Sequence, residues 1–160
     1  MTALVPIIMG SKADLDHGNA IATALAGYGI DSEIRVASAH KAATYLLELL
    51  ASYEADPRPK VFVTIAGRSN ALSGLVDGNV ASPVIASPPY SDRFGGADLF
   101  SSLRMPSGIA PMVVLEPGGA ALAAAKILGL SDERIRTAVE TARQEWTETI
   151  IADDQQIRQV

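Results

Sequence analysis

Three segments of the chain each end an apolar run in small residues, a hydroxyl and a cation. They are Ile7-Ile-Met-Gly-Ser-Lys12, Ile34-Arg-Val-Ala-Ser-Ala-His-Lys41 and Val61-Phe-Val-Thr-Ile-Ala-Gly-Arg-Ser-Asn70. Gly10 and Gly67 let a ligand approach the backbone, Ser11, Ser38 and Ser69 offer hydroxyls, and Lys41 and Arg68 add positive charge, Arg68 as a planar donor fork. With the backbone N–H groups of a strand-to-helix turn, such a set cradles an anion, above all a phosphate monoester. His40, between Ala39 and Lys41, is the side chain suited to accept and return a proton near neutral pH. Asp14, one short step after Gly10-Ser11, brings a carboxylate that accepts hydrogen bonds from hydroxyls. Three strand ends of one composition imply one shared pocket.

The elements that must position these residues follow from the apolar pattern. Ala3 to Met9, Ser32 to Val36, Lys60 to Ile65, Pro83 to Ala86 and Pro111 to Leu115 read as five short strands. Helical spacing separates most of them: Ile21, Leu25 and Tyr28 before Gly29, then Leu46, Leu49, Leu50 and Tyr53, then Ala120 to Leu128. Alternating strand and helix requires right-handed crossovers, hence a mainly parallel sheet covered on both faces. The expected fold is a three-layer α/β/α, flavodoxin-like arrangement, whose ligand crevice lies beyond the carboxyl ends of the strands, where the three turns fall. Either Ser69 or Asn70 is placed to cap the helix after the third turn, and residues 87–96 form a loop over the crevice or at a subunit contact. Ser131 is the expected N-cap of a long C-terminal helix whose stripe Ile135, Val139, Ala142, Trp146 and Ile150 faces its own sheet or a second copy. A homo-oligomer is expected, with residues 131–160 in its interface.

Composition narrows the function classes. The chain has 160 residues, 48% of them hydrophobic, which fills one core and not two, so a single domain over residues 1–160 is expected. Against 13 Lys and Arg stand 18 Asp and Glu, a net charge of -5 without the positive field that nucleic-acid binding needs. There is no cysteine, so disulfides, thiolate nucleophiles and cysteine metal sites are excluded. The sequence shows neither a signal-peptide pattern nor a run of about 18 apolar residues, so a cytoplasmic protein with no membrane span is expected.

Taken in order, Met9-Gly-Ser-Lys-Ala-Asp14, Ser38-Ala-His-Lys41, Ala66-Gly-Arg-Ser-Asn70, Pro83-Val-Ile85 and Ser101-Ser-Leu-Arg-Met-Pro-Ser-Gly108 resemble the PurE family of purine biosynthesis, from about Leu4 to Leu130. Within it, Gly-Arg-Ser-Asn and Ser-Ala-His-Lys are similar to class II, the aminoimidazole ribonucleotide carboxylases, also found as a domain of the animal bifunctional enzyme. Class I mutases typically carry Ser-Ala-His-Arg and a second histidine just after the glycine-rich turn, where this chain has Arg68-Ser-Asn-Ala-Leu72. The resemblance implies carboxylation of 5-aminoimidazole ribonucleotide by carbon dioxide, without ATP, biotin or metal and with no cofactor, in an octamer. It implies His40 as the proton carrier, Gly10, Ser11, Ser38 and Lys41 around the phosphate, and Ala39 among the substrate-binding residues. It further implies Asp14 on the ribose, Gly67, Arg68 and Ser69 around the carbon dioxide or new carboxylate, and Met105 beside the base.

Ordinary explanations stand beside each assignment. Gly10-Ser11 alone is a common turn and cap, His40 alone a helix-start histidine, Asp14 a first-turn acid, and Lys41 and Arg68 surface charges; their joint occurrence favours function. His17, among Asp16, Gly18 and Asn19, reads as part of a solvated helix face and receives no role. Ala13 replaces a common serine, and Ala42-Ala43 replace the residue before proline and the proline after the His-Lys pair, which removes one hydroxyl and loosens the loop that carries His40. Two alternatives remain open: a class I mutase, and a non-catalytic, oligomeric nucleotide-binding module. A phosphoacceptor receiver is set aside because no acidic pair ends the first strand, and a flavin carrier because aromatic content is 5% and no Thr-rich phosphate loop is present.

Overall fold

A strand buried on both faces needs apolar side chains at every position, and Leu4–Met9 supplies them: all six residues of this strand, β1, are buried. The computed structural model describes residues 2–158. The other strands are β2 (Asp31–Val36), β3 (Phe62–Ile65), β4 (Val84–Ala86) and β5 (Met112–Val113). Helices α1 (Leu15–Gly27), α2 (Ala43–Glu54), α3 (Ala71–Asp77), α4 (Phe100–Leu103), α5 (Pro117–Leu128) and α6 (Glu133–Ile157) complete the fold. The sheet order is β2-β1-β3-β4-β5 and every pair is parallel, with Met9 opposite Val36 on one side and Ile65 on the other. This is the flavodoxin-like order expected from the sequence. No helix among the described residues is long and apolar enough to cross a membrane.

The pleat of β1 divides the core in two. Val5, Ile7 and Met9 point to the face packed by Ile21 and Leu25 of α1, Ala120 to Ala125 of α5 and Ile135 of α6. Leu4 and Ile8 point to the opposite face, under Leu46, Leu50 and Tyr53 of α2 and Leu72 and Val76 of α3. Phe62 of β3 belongs to this second core, where its ring meets Tyr53 edge-on at a centroid distance of 5.9 Å. Helix α1 lies so close to the sheet that a Cβ on Gly18 would come within 2.9 Å of Met9 Sδ.

Element boundaries moved where a local signal was misread. Strand β5 spans two residues, not Pro111 to Leu115, because its partner β4 is itself only three residues long; the ladder continues with one bond, from Val114 N to Ala86 O (3.0 Å). Helix α5 begins at Pro117, three residues before the apolar periodicity, with proline at its first turn, where no N–H is missed. Ser131 is not the cap of α6. Asp132 holds that place and accepts from Arg134 N at 3.0 Å, while the Ser131 hydroxyl donates back to Leu128 O. Of the α6 stripe only Ile135 is buried; Trp146 is 50% exposed and Ile150 68%.

The connection from α2 to β3 is tied by charge. Arg58 grips Asp56 through Nε (2.8 Å) and Nη2 (2.6 Å), and Lys60 Nζ donates to the carbonyls of Asp56 and Arg58. The guanidinium of Arg58 holds the Asp56 carboxyl down at about 2, from an ordinary 3.8. A carboxyl with a depressed folded-state pKa contributes stability that is present above its unfolded pKa and lost as pH falls through the folded one. The melting temperature should therefore fall between about pH 4 and pH 2, and Asp56→Asn should flatten that limb. Parallel acid limbs in the two proteins would refute the assignment.

Candidate active site

All the strands run the same way, so their carboxyl ends share one edge, and a cleft of about 800 Å³ opens there. Ten of the eleven residues assigned to a site from sequence line it: Gly10, Ser11 and Asp14 after β1, Ser38, Ala39, His40 and Lys41 after β2, and Gly67, Arg68 and Ser69 after β3. Met105 does not. Its Sδ would lie 3.0 Å from a Cβ on Gly74, which places it against α3.

Each turn is fixed by its own hydrogen bonds. Gly10 N donates to Ile65 O (2.9 Å), which carries the β1–β3 ladder into the turn. The Ser11 side chain accepts from Ala13 N (3.2 Å) and caps a single 3₁₀ turn over Lys12–Asp14. After β2, Ala37 N donates to Met9 O, and Ser38 holds the next residues twice: its carbonyl accepts from Ala42 N (2.9 Å) and its hydroxyl from Lys41 N (3.3 Å). These bonds close the loop carrying His40 without a proline. Ala43, at the first position of α2, stands where proline is tolerated rather than required. His40 and Lys41 are exposed to the cleft.

The third turn is strained and clamped. Arg68 sits at φ 59, in the left-handed region that favours glycine, at a cost on the order of 1 kcal/mol for a side-chain-bearing residue. Residues just before and within α4 hold it there. Arg68 N donates to Asp98 Oδ2 (3.0 Å), the Ser101 hydroxyl lies between the carbonyls of Asp98 (2.8 Å) and Arg68 (3.1 Å), and Asn70 N donates to Ser101 Oγ (3.0 Å). Asn70, rather than Ser69, caps α3 by accepting from Ser73 N (3.1 Å), and its amide donates to the buried Ser102 hydroxyl (2.9 Å). Because Asp98 takes the Arg68 N–H and Ser101 that of Asn70, the donors left to this turn are the guanidinium and the N–H groups of Gly67 and Ser69. Nothing local in the sequence marked Asp98, thirty residues from its partner; the Ser101-Ser102 pair lay within a quoted motif without an assigned part.

Asp14 ends the first turn half-buried, and burial pushes its carboxyl up while the nearby His17 pulls it down. His17 is not on a solvated face, as the surrounding polar residues implied. It is half-buried, with Nε2 at 3.0 Å from the hydroxyl of the fully buried Ser87, and burial lowers its pKa against the opposing charges of Asp14 and Glu116.

Residues 4–149 match the family described as AIR carboxylase. The chain belongs to the AIR carboxylase family. It is 57% identical over 152 residues to the phosphoribosylaminoimidazole carboxylase of Archaeoglobus fulgidus, covering 95% of this chain and 83% of that one. The crystal structure of Treponema denticola PurE superposes with a TM-score of 0.95 at 52% identity, over 96% of this chain and 98% of the other. A human bifunctional phosphoribosylaminoimidazole carboxylase/phosphoribosylaminoimidazole succinocarboxamide synthetase shares 47% identity over 131 residues, 82% of this chain and 31% of its own length. The protein is accordingly an enzyme of purine biosynthesis, and the cleft at the strand ends is where its family's chemistry has to be sought.

Asn70 links the strained turn to α3 and to Ser102 in one buried side chain. Replacing it by alanine removes a cap and leaves a buried hydroxyl short of a partner. Asn70→Ala should lower unfolding free energy by about 1–3 kcal/mol in urea titration and reduce kcat/KM as Arg68 relaxes. Unchanged stability would show that the clamp does not depend on this residue.

Proposed function

We propose that the protein is a class II carboxylase, which joins carbon dioxide to the ring carbon beside the amine of 5-aminoimidazole ribonucleotide. The observation that carries this is the convergence, in one cleft, of His40 and Lys41 from the end of β2 with Gly10-Ser11 from β1 and Gly67-Arg68 from β3. A proton carrier, a phosphate cradle and a cation-bearing turn are then within reach of one ribonucleotide.

The chemistry asks little more. An aminoimidazole is an enamine, so its ring carbon attacks the carbon of carbon dioxide, a C–C bond forms, and one C=O π pair moves onto oxygen to give the carboxylate. The ring carbon then carries a proton that must leave for aromaticity to return, and His40 takes it. Gly10, Ser11, Ser38, Ala39 and Lys41 hold the phosphate, Asp14 the ribose hydroxyls, and the Arg68 guanidinium with Ser69 the charge developing on the carboxylate. Neither ATP nor a metal has a step in this sequence. Lys41 and Arg68-Ser-Asn-Ala-Leu72, without a second histidine, favour carbon dioxide as co-substrate over an N-carboxylated ribonucleotide, as does the likeness to the human bifunctional enzyme. The reading also takes the chain as one domain, active as a homo-oligomer that covers the exposed stripe on α6.

The test is carboxylation of 5-aminoimidazole ribonucleotide in bicarbonate buffer without ATP, beside the N-carboxylated ribonucleotide as rival substrate. Turnover should require dissolved carbon dioxide, and the N-carboxylated compound should give no more than its spontaneous breakdown. Preference for the rival would make the enzyme a mutase. His40→Asn should lower kcat at least about 100-fold with ribonucleotide binding held within about threefold. A loss of binding of the same size as the loss of turnover would remove His40 from the proton transfer.

A further inference from the structure

The carboxylase reading uses one of two histidines, and the second is the more buried. His17 follows Asp14 by three residues at the start of α1, so the two share a helix face. Its Nε2 lies 3.0 Å from Ser87 Oγ, and that hydroxyl lies 3.2 Å from Leu115 O. A serine hydroxyl has one proton to give. Both contacts are made together when that proton goes to the Leu115 carbonyl, which can only accept, and the His17 ring donates from Nε2. Ser87 is in turn held to the sheet by its N–H, which donates to Thr64 O at 2.8 Å. One end of this relay is therefore rigid. It spans from the first turn of α1 to the end of β4 and the loop after β5.

Asp14, three residues earlier, is tied by its backbone, its N–H donating to Ser11 O at 3.2 Å. It occupies the N-cap position of α1, yet its side chain makes no capping hydrogen bond. The carboxylate is left free for the cleft, which it lines while His17 does not. His17 instead lines a smaller apolar cavity of about 340 Å³, behind a wall of Pro89, Tyr90 and Asp98 that both spaces share. The titratable groups whose charges act on the ring are Asp14 and the exposed Glu116, which oppose the lowering of its pKa by burial.

We propose that His17 is a positioning residue, anchored through Ser87 to the sheet, which sets the first turn of α1 so that the Asp14 carboxylate meets the ribose hydroxyls of the substrate. The inference rests on the carboxylase reading, which places the ribose at Asp14. It makes substrate binding, and not the proton transfer at His40, the step that His17 governs.

The test is steady-state carboxylation with 5-aminoimidazole ribonucleotide by H17F, H17Q and S87A. Phenylalanine keeps the ring's bulk and cannot donate; H17F should raise KM about tenfold, as for one lost positioning contact, with kcat within about threefold. The glutamine amide reaches the same acceptor, so H17Q should return KM to within about threefold of the unsubstituted enzyme, and S87A should raise it as H17F does. If H17F does not fold, H17Q and S87A still make the comparison. An active enzyme whose S87A or H17F form keeps its KM, or whose H17Q form is as impaired as H17F, would overturn this inference alone. An unsubstituted protein without turnover would overturn the carboxylase reading and the inference with it.

Discussion

Hydrogen bonding of β1 on both sides is the constraint on which the rest depends. Met9 is in register with Val36 of β2 and Ile65 of β3, so the residues that follow each of the three strands leave the sheet side by side. The chain passes from β1 to β2 on one side, then crosses over β1 to reach β3 on the other, and the connecting helices diverge. A gap at the strand ends results from that divergence, whatever side chains surround it. Gly10, Ser38 and Gly67 then stand at its mouth because each is a residue or two beyond a strand.

The strand-helix alternation and the parallel sheet were legible in the sequence because buried parallel strands are apolar at nearly every position. Strand β1 is the clearest case, while β2 at the sheet's edge alternates more and is less obvious. The cleft residues were legible for a different reason: glycine, serine and a cation just past a strand need little tertiary information to interpret. What escaped were relations between distant segments. Asp98 supports Arg68 across thirty residues, and His17 finds Ser87 across seventy, and neither pair has a spacing that a sequence displays. Polar neighbours along the chain made His17 resemble a surface residue, although a helix turns those neighbours away from the face on which it sits.

The turn at Arg68 shows how local cost and distant support go together. A left-handed residue bearing a long cationic side chain would relax in an isolated peptide. Here Asp98 holds its amide and Ser101, itself bonded by Asn70 N, lies against its carbonyl, so the guanidinium is presented by a conformation that its own segment would not choose. The segment around α4 thus belongs to the site's architecture even where it touches no substrate. His17, on the first turn of α1, is likewise held by Ser87 just past β4, so residues of both the first and the third turn find partners beyond β3.

The central place of β1 also bears on how the chain comes to be folded. Val5 and Ile7 leave the ribosome well before Val63, which pairs with Ile7 and emerges only after β2 and α2 have been made. Until then a wholly apolar strand has a free edge, the kind of surface that recruits other strands. Pairing with β2 protects one side early, and the other must wait on the ribosome or beside a chaperone. Substitutions that delay β3, even far from the cleft, would lengthen that exposure and lower the yield of protein more than the stability of the finished fold.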